Sequence, residues 1–124
     1  ADVRTARAQD RVRDVIATLK DHGISQIPVL KDGKLIGVVT EVSLLRYLAT
    51  GEQSLNSTVE ELVESDYATV SRNTSIESVY GLLGDARMAI VLDGEDLVGV
   101  ITKIDVIEYL ARGRGRTSWV PPKG

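Results

Sequence analysis

Residues 37–51 read GVVTEVSLLRYLATG, and residues 99–113 read GVITKIDVIEYLARG. Seven of these fifteen positions are identical, where composition alone would give about one. The chain therefore contains an internal repeat. Within the repeat Ser43 stands opposite Asp105.

Working outward from that pair, the same order of local signals occurs twice. In DRVRDVIATLKDHG the apolar residues Val12, Val15, Ile16 and Leu19 recur at helical spacing, with Asp10 placed as N-cap and Gly23 as the stop. QIPVL and KLIGVV, separated by KDG, read as strand, tight turn and strand. EVSLLRYLATG resumes helical spacing through Val42, Leu45 and Leu48 and ends at Gly51.

In the second half, Thr74 to Glu77 form a capping-box pattern ahead of Ile76, Val79, Leu82 and Leu83. MAIVL and LVGVI flank the turn DGED, and IDVIEYLARG closes with a helix. Each half also opens with a short β-type run, VRTA in one and YATV in the other. The expected order is β-α-β-β-α, twice. The boundaries read as a first repeat over 1–51, a polar linker with one helical turn over 52–66, a second repeat over 67–113, and a basic, proline-containing tail over 114–124.

Composition bounds the function. A chain of 124 residues is long enough to bury roughly two-thirds of the surface its unfolded form exposes. Hydrophobic residues make up 43% and charged residues 27%, and the formal charge of -3 gives no electrostatic case for nucleic acid. The absence of cysteine excludes disulfides, thiolate catalysis and cysteine-based metal sites and is compatible with a reducing cytoplasm. The longest apolar runs are strand-sized, so neither a membrane span nor a signal peptide is expected.

The repeat resembles the cystathionine-β-synthase (CBS) domain, which works as a tandem pair known as a Bateman module. GISQIPVL with GVVTEVS in the first copy and GVITKID in the second carry the resemblance, and ISQIPV together with the second copy's GVITxxD is similar to the regulatory tails of cystathionine β-synthases. The resemblance implies an α+β fold of two β-α-β-β-α repeats related by pseudo-twofold symmetry. It also implies a regulatory module that binds S-adenosylmethionine, AMP, ADP or ATP where the copies meet, requires no cofactor, forms a homodimer, and passes its ligand state to a host enzyme or partner.

Carried over residue by residue, the resemblance places one cleft at Ile24, Ser25, Gln26, Ile27 and Pro28 of the first copy with Val100, Thr102, Ile104 and Asp105 of the second. Asp105 would take both ribose hydroxyls and Thr102 the ribose or first phosphate. Ile24, Ile27, Val100 and Ile104 would sandwich adenine, and the backbone at Gln26 and Ile27 would read its edge. The mirror cleft would use Thr40, Ser43, Met88, Ala89 and Ile90. There Ser43 cannot take the diol with two oxygens, Ile90 replaces Pro28, and the preceding loop is shorter, so that cleft is expected to be silent.

Plainer roles exist for the same residues. Thr102 and Asp105 are helix-capping types at a helix start, KDG and DGED are hairpin turns rather than metal loops, and His22 lies in the last turn of a helix. Tyr47 and Tyr109 occupy equivalent packing or dimer-contact positions, and the arginine-rich tail reads as a solvated terminus. No nucleophile-base pair, metal-ligand cluster or Walker-type loop is present, so no catalytic or metal residue is expected. A CBS pair without ligand, serving only to dimerise its host, is the alternative. Leu44, Leu45 and Leu48 with Val106, Ile107 and Leu110 are the expected dimer surface.

Overall fold

The computed structural model describes residues 4–51, 54–86 and 88–112. The tail over 114–124, with its expected solvated character, lies outside them. The chain divides into two compact units, Arg4–Ser65 and the residues from Asp66 onward.

The first unit runs β1 (Ala6–Arg7), α1 (Val12–His22), β2 (Gln26–Lys31), β3 (Lys34–Thr40), α2 (Glu41–Ala49) and a 3₁₀ turn (Val59–Leu62). The second runs β4 (Ala68–Val70), α3 (Ile76–Leu83), β5 (Met88–Asp93), β6 (Asp96–Thr102) and α4 (Lys103–Ala111). Each has a three-stranded sheet in which the first strand is parallel to the second and the second antiparallel to the third. The fold class is α+β, with the β-α-β-β-α order expected.

The repeat extends to the sheet register. Gln26 pairs with Thr40 and Pro28 with Val38, as Met88 pairs with Thr102 and Ile90 with Val100. A bulge follows Val29 in one hairpin and Val91 in the other. Pro28 is tolerated inside the three-stranded sheet because Val38 turns its backbone outward, its N–H donating to the Glu64 carbonyl at 2.9 Å and its carbonyl accepting from Glu64 N–H at 2.8 Å. β1 pairs only with Val29 and Leu30, so no strand asks Pro28 for a donor. Beside Ile90, by contrast, β4 is paired.

Side-chain alternation sends Ile27, Val29 and Val39 into the first core with Val12, Val15 and Leu19 of α1. Ala89, Val91 and Ile101 join Val79, Leu83 and Val106 in the second. Each fully buried valine or leucine contributes about 1.5–3 kcal/mol. Gly23 ends α1 in the left-handed conformation, and Ile24 N–H reaches back to the Leu19 carbonyl at 3.0 Å.

Several local expectations need correction. Asp10 does not cap α1: its carboxylate accepts from Arg7 N–H at 2.9 Å in the preceding turn, and Arg11 is the N-cap residue. The α1 amides are satisfied from the linker instead, Val12 N–H by the Ser57 carbonyl at 2.9 Å and Arg13 N–H by the Leu55 carbonyl at 3.0 Å. The cap of α3 is Ser75, which accepts from Ser78 N–H at 3.2 Å, while Thr74 accepts from Ser71 N–H at 3.0 Å. The cap thus falls one residue later than the expected Thr74.

Val42, Leu45 and Leu48 are exposed; the core-facing stripe of α2 is Leu44 and Tyr47. Periodicity marked an apolar face correctly as helical, but α2 is apolar on two sides. The linker is also less polar in its packing than in its composition. Val59 and Leu62 enter the first core, Lys31 Nζ pairs with Glu60 at 2.6 Å, and Tyr47 Oη donates to the Ser54 carbonyl at 3.0 Å. Residues 54–65 are a strap on the first unit.

Candidate functional site

In each unit the last strand runs directly into a helix, and the junction carries a threonine as N-cap. In the first, Thr40 N–H donates to Ser43 Oγ at 2.8 Å, Ser43 N–H donates to Thr40 Oγ1 at 3.0 Å, and Ser43 Oγ–H donates to the Thr40 carbonyl at 2.9 Å. Ser43 therefore uses its proton and accepts a bond entirely within its own cap. Thr40 and Ser43 are 1% and 4% exposed.

The second junction has the same frame with a carboxylate in it. Thr102 N–H donates to Asp105 Oδ2 at 2.8 Å, and Thr102 Oγ1–H to the same oxygen at 3.1 Å. Both residues are only partly buried. Capping occupies one carboxylate oxygen, and among the described residues Oδ1 takes no hydrogen bond. A carboxylate oxygen at the start of a helix is a strong acceptor for a hydroxyl pair.

Sheet alternation sorts the remaining expected residues. Gln26, Pro28, Val38 and Thr40 lie on the face opposite the first core, and Met88, Ile90, Val100 and Thr102 lie on the corresponding face of the second sheet. Ile27 and Ala89 point the other way, into their own cores, each at most 1% exposed. The side chain of Ile27 is thus unavailable as an adenine wall. Ile24 packs against the first core and lines an open groove of about 580 Å³ with Ile16 of α1 and Leu48 of α2, so it too is removed from the outer face. Ile104 is 57% exposed on the first turn of α4.

The Ser25 carbonyl accepts from Glu41 N–H at 3.0 Å, which ties the loop before β2 to the start of α2. Val38, fully buried and opposite Pro28 on the outer face, is absent from the sequence-based set. Counting back by two from Thr40 would have found it. Arg7 pairs with Asp10 at 3.6 Å, and Lys103 lines a groove with Tyr80, Val106 and Ile107. Among the described residues no group of three or more His, Cys, Asp or Glu could hold a metal ion, and no helix is long and apolar enough to cross a membrane.

Two sheets of the same topology, each with a capped strand-to-helix junction, make the chain a tandem repeat of one unit. The family model described as the CBS domain matches residues 1–50 and 59–112, and the chain belongs to that family. It is similar to cystathionine beta-synthase of Saccharomyces cerevisiae, with 28% identity over 123 residues, covering 82% of this chain and 24% of that enzyme. The chain spans less than half the length of the curated relatives it matches. Among solved structures it is similar to a protein with CBS domains from Burkholderia ambifaria MC40-6, at 26% identity and a TM-score of 0.79, covering 93% of this chain and 87% of that one. The fold is also similar to CBSX2, solved in complex with AMP, at 22% identity and a TM-score of 0.76, covering 89% and 88% of the two chains.

Proposed function

We propose that this CBS pair is a regulatory module that binds an adenosine-containing ligand through residues of both repeats and reports the bound state to a host enzyme or partner. Asp105 accepts the ribose hydroxyls through Oδ1 while Oδ2 keeps the cap of α4. Thr102 lies beside it, Val100 and Ile104 supply apolar surface, and Gln26 and Pro28 contribute from the first repeat. The carrying observation is the difference between the two junctions, one closed on itself at Ser43 and one retaining an acceptor at Asp105. Thr40, Ser43, Met88 and Ile90 belong to the silent side.

The ligand is S-adenosylmethionine or an adenine nucleotide. The likeness to cystathionine beta-synthase and the AMP complex of a fold neighbour support that class. The module performs no catalysis and needs no cofactor. It acts as a homodimer, a reading supported by Leu45 and Ile107, 69% and 57% exposed on α2 and α4. Leu44 and Val106, expected on that surface, are core residues instead. A cytoplasmic setting fits the absence of cysteine.

Thermal-shift measurements with AMP, ADP, ATP and S-adenosylmethionine test the reading. A ligand at 100 times its Kd stabilises the fold by about 2.7 kcal/mol. A melting temperature unmoved by all four overturns the sensor function and favours the ligand-free dimerisation scaffold.

A further inference from the structure

Gln26, Pro28, Val38 and Thr40 share the outer face of the first sheet, and their hydrogen-bonding capacities differ. Pro28 and Val38 are apolar and buried. The Thr40 hydroxyl is spent within its own cap, accepting from Ser43 N–H at 3.0 Å and donating to Ser43 Oγ at 3.3 Å. Gln26 is half-buried, and among the described residues its carboxamide makes no hydrogen bond. Of these four side chains it alone keeps both a donor and an acceptor unspent. The backbone at Ile27 offers no substitute. Antiparallel pairs alternate between hydrogen-bonded and non-hydrogen-bonded, and Val38 turns its amide and carbonyl to Glu64. The hydrogen-bonded pair is therefore Ile27 with Val39, which consumes the Ile27 N–H and carbonyl in the ladder. At the register position equivalent to Gln26 the second sheet carries Met88, fully buried and without a donor. The spare carboxamide thus belongs to one repeat only.

We propose that the side chain of Gln26 selects the base of the ligand. Its carboxamide oxygen accepts from the 6-amino group of adenine, and its amide nitrogen donates to the neighbouring ring nitrogen. The assignment rests on the ligand being adenosine-containing. A planar carboxamide presents one acceptor and one donor side by side, and adenine presents the complement, an amino donor next to a ring-nitrogen acceptor. Pro28 and Val38 compete for neither bond, because Pro28 has no N–H and the Val38 amide and carbonyl are already paired with Glu64. A base without the amino group strips water from the half-buried carboxamide oxygen and returns no donor, so the site discriminates against it. S-adenosylmethionine and the adenine nucleotides share this edge and are read alike.

Calorimetry on the full chain tests this with AMP and with purine riboside 5′-monophosphate, the same nucleotide without its 6-amino group. In the parent, loss of the amino group is expected to weaken binding at least about tenfold. In Gln26→Met, which copies the second repeat, the two nucleotides should bind alike and at the weaker level, with the melting temperature of the unliganded protein unchanged. Gln26→Ala should give the same readings, so that the outcome does not depend on how methionine packs. S-adenosylmethionine should lose the same factor in both variants. Variants that bind AMP and S-adenosylmethionine as tightly as the parent, or that keep the parent's preference for AMP over its analogue, overturn base selection by Gln26 and leave the adenosine-ligand reading standing. A parent that binds neither AMP nor S-adenosylmethionine overturns both.

Discussion

Asp105 receives both the amide and the hydroxyl of Thr102 on a single oxygen, Oδ2, at 2.8 and 3.1 Å. The equivalent Ser43 caps α2 through one hydroxyl. The second repeat thus solves the same capping problem with an oxygen to spare, and the two tasks of Asp105 can be separated by copying the first repeat's solution.

Asp105→Ser keeps an acceptor for Thr102 N–H and removes the second oxygen. Its stability should stay within a few tenths of a kcal/mol of the parent, as for exchange between good capping residues, whereas affinity for the adenosine-containing ligand should fall about ten- to a hundred-fold. Asp105→Ala should lose the same affinity and also about 0.5–2 kcal/mol of stability. Calorimetry and chemical denaturation on both variants check this. Unchanged affinity in Asp105→Ser would reduce the carboxylate to a helix cap.

The reverse exchange should fail. Ser43 is 4% exposed and its hydroxyl donates to the Thr40 carbonyl at 2.9 Å. An aspartate would place a buried carboxylate against that carbonyl oxygen, so Ser43→Asp should destabilise by more than about 2 kcal/mol. Ser43→Ala should leave ligand affinity unchanged. An affinity loss at Ser43 equal to that at Asp105 would mean that the silent and binding junctions have been exchanged.

Much of this was readable from letters because the repeat supplied two independent samples of each element. Thr40 and Thr102, and Ser43 and Asp105, fall at matching register positions, and strand, turn and helix order followed from β-branched runs and helical spacing. What was not readable depended on which of two apolar faces met the core. Val42, Leu45 and Leu48 have helical spacing, yet the core took Leu44 and Tyr47. Ile27 looks like a ligand wall until alternation from Val29 sends it inward. The strap was hidden by its polar composition, since its main contribution, carbonyls for the Val12 and Arg13 amides, is made by backbone and has no sequence signature.

The Lys31–Glu60 pair that fastens the strap to β2 has a definite pH signature. Its hydrogen bond to Glu60, and then the Glu60 charge, raise Lys31 above the ordinary 10.5. A lysine raised on folding stabilises fully below its unfolded value, and that contribution disappears as pH rises through the folded value. Stability should therefore be unaffected by the pair's titration near neutrality and fall slightly above pH 10.5, and Lys31→Met should abolish that step. The effect is small because the pair is solvent-exposed. Denaturation curves through the alkaline range measure it, and an undiminished step in Lys31→Met would assign it elsewhere.

The exposed leucine of α2 offers the test of assembly. Leu45 is 69% exposed, so Leu45→Asp should leave the fold unchanged within about 0.5 kcal/mol. Light scattering at tens of micromolar, a range chosen because weak pairs dissociate below it, should show a dimer for the parent and a monomer for the variant. A monomeric parent would remove the dimer from the proposed function.

Gly37 decides how the strap meets the sheet. A Cβ there would approach the Glu64 carbonyl oxygen to 2.8 Å and Val63 Cβ to 2.9 Å. The same Glu64 carbonyl accepts from Val38 N–H, and Glu64 N–H donates back to the Val38 carbonyl. Gly37→Ala must therefore push residues 63 and 64 off β3, at a cost of about 1–3 kcal/mol for overpacking against backbone. Each lost hydrogen bond adds about 0.5–1.5 kcal/mol. Gly81, in the interior of α3, is the control: its Cβ would meet nothing within 4 Å, so Gly81→Ala should stabilise by about 0.5–1 kcal/mol through helix propensity. Urea denaturation of the two variants should move in opposite directions, with faster exchange of the Val38 and Glu64 amides in Gly37→Ala alone. A Gly37→Ala protein as stable as its parent would show that the strap can leave β3 without cost, and that the first unit ends before residue 63.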